Sequence, residues 1–234
     1  MELILVRHGQ PAWTTPDGRA RNDPGLTELG QAQARAVAVR LADHTDEPAP
    51  GPVDRLLASP AVRAMETAEP ISEALGLPVE VHECLWELKN PPDWEGASIE
   101  AIASAFDELR NGPLADMWDG LPGGEPITEF HDRVIGGVHR LLESFDVRPS
   151  GSSQLWSVGP GAPARVVLVA HGGTNSTIIA HLLGIRPEPW EWDRFMMGHA
   201  SVAVLALTPL AGGHLWSLRA LGDANHLNLP DRTR

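Results

Sequence analysis

Apolar and polar positions along this chain fall into short runs, and several of the runs stop at an ionisable side chain. Leu3-Ile4-Leu5-Val6 leads straight into Arg7-His8-Gly9-Gln10. Four consecutive apolar residues bounded by charge predict a short strand buried on both faces, as in a parallel sheet. Arg55 to Ala58 and Val79 to Val81 predict two more strands, and Val166 to Ala170 predicts another that runs into His171-Gly172-Gly173-Thr174-Asn175. Val202 to Leu207 and Leu215 to Leu221 read as closing strands compatible with antiparallel pairing.

Between these runs the spacing is helical. Thr27 is a suitable N-cap, with Glu28 in the first turn, and Leu29, Ala32, Ala36 and Val39 recur at three-and-four spacing. That pattern predicts their side of the helix as the packed face, with Gln33, Arg35 and Arg40 turned elsewhere and an end by Asp43. Ser59 as N-cap and Pro60 as first helical residue predict a second helix with Arg63 on its first turn. Pro70 predicts a stop and restart in it, and Gly76 its end. Further helical patterns cover Ser98 to Arg110, Ile127 to Phe145 and about Thr174 to Leu183. Pro11 to Pro24 reads as a loop, His44 to Pro52 as a Pro-rich, acidic and mobile connection, and Asp146 to Ala164 as a surface loop without periodicity.

Composition narrows the class. A chain of 234 residues is long enough for a substantial core, and it is read as one domain over residues 1–234. A formal charge of −13 argues against nucleic acid as a partner and means that an anionic substrate needs a locally basic pocket. The single cysteine, Cys84, excludes an intrachain disulfide and CxxC zinc sites, and fits a reducing cytosol. No basic-then-apolar leader and no apolar stretch of membrane-spanning length is visible, so a cytoplasmic protein without membrane contact is expected.

The candidate chemistry lies where strands hand over to helices. His8, Arg63 and His171 are each delivered from such a junction, where ligands bind in open α/β sheets and helix amides favour anions. Glu83, Glu87 and Glu95 lie in a segment crowded with tryptophan, where apolar surroundings would disfavour a charged carboxylate and suit a general acid. Composition does not choose among the three. Trp13, Trp86, Trp94 and Trp118 read equally well as a pocket wall or as core, whereas His181, His199, His214 and His226 read as structural.

Leu5-Val6-Arg7-His8-Gly9-Gln10 resembles the defining motif of the histidine phosphatase superfamily, also called phosphoglycerate mutase-like. Leu26-Thr27-Glu28-Leu29-Gly30, Ser59-Pro60 with Arg63-Ala64 and Thr67-Ala68, Gly123-Gly124-Glu125 and His171-Gly172-Gly173 follow in that family's order. The resemblance implies a three-layer α/β/α sandwich with a mainly parallel central sheet and a metal-free phosphoryl-transfer site requiring no cofactor. By position, His8 would take the phosphoryl group, Arg7, Arg63 and His171 would hold its oxygens, and Glu87 in Leu85-Trp86-Glu87 would be the proton donor. Gln10, Thr14, Gly172, Trp13 and Trp86 are the expected substrate contacts.

Thr14 stands where the mutases usually carry Asn, and the stretch after Glu87 has Lys89 as its only cation before Trp94. Both departures favour a phosphatase acting on a small phosphate ester. The alternatives are a 2,3-bisphosphoglycerate-dependent phosphoglycerate mutase and a non-catalytic phosphate-binding protein. A two-histidine metal hydrolase is disfavoured because the neighbouring arginines would repel a cation. A homodimer is left open.

Overall fold

The computed structural model describes residues 1–43, 51–151 and 154–234. The first half alternates strand and helix: β1 (Glu2–Arg7), α1 (Glu28–Ala42), β2 (Arg55–Ala58), α2 (Val62–Leu75) and β3 (Val79–Val81). A helical middle follows with α3 (Ile99–Asn111) and α4 (Ile127–Ser144). Then come β4 (Val147–Pro149), β5 (Trp156–Val158), β6 (Arg165–Ala170), α5 (Gly172–Leu182), the short α6 (Glu191–Arg194), β7 (Val202–Leu210) and β8 (Gly213–Asp223).

The eight strands among the described residues form one sheet in the order β3-β2-β6-β1-β7-β8-β5-β4. The sheet is mixed, which corrects the expectation of a mainly parallel one. β3, β2, β6 and β1 run parallel, but β7, β8, β5 and β4 continue the sheet by antiparallel pairing. The cause lies in the connections. Strands linked through α1 and α2 return in the same direction, whereas β7 and β8 are joined by Ala211-Gly212, both at positive φ, as a tight hairpin requires. Side chains of the central strands alternate between two cores. Leu3, Leu5, Val166 and Leu168 pack with Phe130, Val134 and Ile178 of α4 and α5, while Ile4, Val6, Val167 and Val169 pack with Val37, Leu41, Ala68 and Ile71 of α1 and α2.

Several local expectations are revised. The buried face of α1 is Gly30, Gln33, Ala34, Val37, Ala38 and Leu41, whereas Val39 is 70% exposed. A polar residue helps set this face: Gln33 Oε1 accepts from the Gln10 amide at 2.8 Å, and its Nε2 donates to the Asp231 carbonyl at 2.7 Å. The first helical residue of α2 is Val62, and the helix runs through Pro70 without a break. Pro70 lines a groove with Ala34 and Arg35 of α1 and Glu66 and Glu73 of α2, and because it has no N–H the Glu66 carbonyl goes without its ladder donor. The segment from Asp146 to Ala164 is not simply a loop, because β4 and β5 form a hairpin there and bury Val147 and Trp156. Within the connection from His44 to Pro52, residues 44–50 lie outside the described residues. No helix among the described residues is long and apolar enough to cross a membrane.

Candidate active site

β1 and β6 are adjacent and parallel with Arg7 paired to Ala170, so His8 and His171 leave the sheet side by side. Their ring centroids are 5.1 Å apart. The turn after β1 is held by close backbone contact. A Cβ on Gly9 would meet the Gly30 carbonyl oxygen at 2.5 Å, and one on Gly30 would meet the Gln10 carbonyl oxygen at 2.2 Å. The Gly9 amide donates to Thr67 Oγ1 at 3.0 Å, which ties the same turn to α2.

His8 is buried, and its Nδ1 lies 2.7 Å from the Gly9 carbonyl oxygen. A carbonyl can only accept, so Nδ1 carries the ring proton and Nε2 keeps its lone pair. Arg63 Nε donates to that Nε2 at 3.3 Å. Burial, followed by the Arg63 and Arg7 cations, pushes the His8 pKa well below the ordinary imidazole value. The same causes, burial first, lower His171. Both rings are therefore neutral at neutral pH.

The arginines are fixed by partners whose role no local pattern marks. Arg7 Nη1 donates to the Met197 carbonyl at 2.6 Å, and Nη2 donates to His199 Nε2 at 3.1 Å. Burial and then Arg7 bring the His199 pKa down to about 3, and the neutral ring accepts that bond. Arg63 Nη1 pairs with Asp23 at 3.2 Å, and its guanidinium lies 4.8 Å from the centre of the Trp13 ring. Ser59 does not cap α2. Its Oγ accepts from the Ala61 amide at 3.3 Å and lies 2.8 Å from His171 Nε2. Arg7 Nε and His171 Nδ1 are buried with no hydrogen-bond partner among the described residues. Two such groups beside His8 fit oxygens of a bound anion.

Glu87 completes the cluster, but it is not wedged between indoles as its segment suggested. Its carboxylate sits at the N-terminus of α5 and accepts from the Gly173 amide at 2.8 Å and the Thr174 amide at 3.1 Å. The chain carrying it is clamped by Arg133, which donates to the carbonyls of Trp86 and Glu87 and forks onto Glu125. Neither Glu83 nor Glu95 is among the residues lining the cleft.

Arg7, His8, Trp13, Glu87, Gly172 and His199 line one open cleft of about 930 Å³. Arg63 and His171 are buried in contact with His8. Three expected contacts are placed elsewhere. The Gln10 side chain accepts from Thr27 Oγ1 at 2.9 Å, the Thr14 backbone bridges to Ala20, and the partly buried Trp86 packs against the core on the α1 and α2 side of the sheet. Trp192, Arg232 and Thr233 line the cleft instead, and no local motif marked them.

A family model described as histidine phosphatase superfamily (branch 1) matches residues 3–219. Over 233 residues the chain is 28% identical to a probable phosphoglycerate mutase GpmB of Yersinia enterocolitica, covering 98% of this chain and 96% of that protein. Among solved structures, a mycobacterial glucosyl-3-phosphoglycerate phosphatase complexed with VO3 superposes with a TM-score of 0.69 at 28% identity, over 95% of this chain and 99% of that one. The alpha-ribazole phosphatase from Shigella flexneri has the same fold, with a TM-score of 0.68 at 23% identity over 95% and 96% of the two chains.

Proposed function

The chain belongs to the histidine phosphatase superfamily, and from that membership we propose that it is a phosphomonoesterase working through a phosphohistidine on His8. The observation that carries this reading is the His8 ring. The Nδ1 bond to Gly9 leaves Nε2 without a proton, burial keeps it so, and two guanidinium groups flank it, the long bond from Arg63 Nε being the contact that a bound phosphate oxygen would take over. A neutral imidazole is a competent nucleophile, and the arginines meet the charge that spreads over the equatorial oxygens during transfer.

In the first step His8 Nε2 attacks phosphorus while the bond to the ester oxygen breaks. Glu87, as the acid, gives its proton to that oxygen, so an alcohol leaves instead of an alkoxide. In the second step the Glu87 carboxylate takes a proton from water, the oxygen attacks phosphorus, and the P–N bond returns its electron pair to Nε2. Arg7, Arg63 and His171 Nδ1 supply donors to the non-bridging oxygens throughout. The positive charge beside His8 and His171 opposes a metal ion there, so the arginines provide the charge stabilisation.

The test is direct. Rapid acid-free quenching during turnover of an alkyl phosphate is expected to reveal phosphate on His8 by mass spectrometry. His8→Ala is expected to abolish turnover with an unchanged melting temperature, and excess chelator is expected to leave the wild-type rate intact. Full activity in His8→Ala sinks the proposal. The relatives whose names carry phosphoglycerate mutase favour a second reading as a mutase. Isomerisation of phosphoglycerate exceeding phosphate release would establish that one instead.

A further inference from the structure

A second cavity of about 240 Å³ adjoins the cleft, and the two share Glu87, Gly173 and Trp192 as walls. The rest of its lining is mostly apolar, with Leu88, Phe106, Leu109, Met117, Leu121 and Ile127. α3 is the unusual part. Ile102, Phe106 and Leu109 recur at three-and-four spacing, yet no side chain of this helix is buried and Phe106 is 46% exposed. The helix is held at its middle by the edge contact of Trp94 with Phe106 at 5.4 Å and near its C-terminus by the ion pair of Arg110 with Asp193 at 3.3 Å. Its apolar side therefore covers a space that opens towards the proposed proton donor rather than a filled core.

Position gives that space a role. The ester oxygen must lie at Glu87 to be protonated, so the carbon skeleton attached to it extends past Glu87, where this cavity begins. The cavity offers few groups to hydroxyls: Arg110 and Asp193 are engaged with each other, which leaves Asn90 and the proton donor Glu87 as its other polar side chains. A polyol placed there would lose more water contacts than Asn90 and Glu87 can replace, whereas methylenes would gain by leaving water.

We propose that this cavity is the leaving-group subsite, and that the substrate is a phosphate monoester of an alkyl or arylalkyl alcohol rather than of a sugar or sugar acid. The inference rests on the phosphatase reading of the same cleft. Linear alkyl phosphates from ethyl to octyl test it, because the reactivity of the leaving alcohol is nearly constant along the series while apolar size increases. kcat/KM is expected to rise about two- to fourfold per methylene and to level off once the cavity is full. Leu109→Asp and the milder Phe106→Ala, at a half-exposed site that tolerates truncation, are expected to flatten the slope. A flat series in the wild type, with ethyl phosphate turned over, overturns the subsite and leaves the phosphatase reading standing. A rising slope unaffected by either variant also overturns it, by placing the apolar contact elsewhere. No turnover of any ester and no phosphate on His8 overturns the parent reading.

Discussion

Gly173→Ala is the sharpest probe of the proton donor, because it acts on Glu87 without altering the carboxylate itself. A Cβ at this position would lie 2.5 Å from Glu87 Oε1, 3.1 Å from its Cδ and 3.2 Å from Oε2. Reaching an ordinary contact of 3.4 Å from 2.5 Å demands a shift of about 0.9 Å, away from the α5 amides that hold the group. Misplacing a reacting group by about 1 Å costs on the order of a hundredfold, near 2.7 kcal/mol of barrier. The loss should depend on the leaving group. For ethyl phosphate, which needs the proton, kcat/KM is expected to fall about a hundredfold. For p-nitrophenyl phosphate, whose phenolate departs unprotonated, kcat/KM should fall less than about tenfold. Its kcat can still drop, since hydrolysis of the phosphoenzyme uses the same carboxylate as base. Equal losses in kcat/KM for both esters would refute Glu87 as the acid.

Gly30→Ala places a methyl group 2.2 Å from the Gln10 carbonyl oxygen, so a destabilisation of about 1–3 kcal/mol by denaturant titration is expected together with reduced activity, as the turn bearing His8 moves. Arg133→Met leaves the nearly buried Glu125 unpaired and frees the carbonyls of Trp86 and Glu87, and should cost about 3 kcal/mol, with Arg133→Lys failing to restore the fork. Acid should destabilise the fold. Burial lowers His199 to about 3, and His181 and His226 to about 4, against about 6.5 in the unfolded chain. The unfolded state then binds more protons, so this stability is complete above about pH 6.5 and is lost as pH falls towards the folded values. A melting temperature higher at pH 5 than at pH 7 would contradict that assignment.

Most of the strands were legible because an apolar run bounded by charge has few other readings, and Arg7, His8, Arg63 and His171 were legible because each sits at the end of such a run or just after it. What stayed hidden depends on distant partners. Nothing local shows that Gln33 would turn inward to hold the Gln10 amide, which displaced the packed face of α1 from its expected residues. Pro70 marks a break by its residue type, yet α2 continues through it. His199 has an ordinary neighbourhood in the chain and gains its place by folding back onto Arg7. Three supposed contacts, Gln10, Thr14 and Trp86, lie near the site in sequence but are not among the residues that line the cleft. The antiparallel half of the sheet was visible only as two closing strands, because β4 and β5 are too short to register as a pattern.

The pairing of Arg7 with Ala170 has an architectural consequence. The gap between the two imidazoles is inherited from the repeat distance between neighbouring strands, about 4.8 Å, and owes nothing to the length of intervening chain. Surface connections are thus free to lengthen, shorten or exchange their sequence while the reactive spacing stays constant. A scaffold of this kind lets specificity diversify around chemistry whose dimensions are dictated by the peptide bond itself.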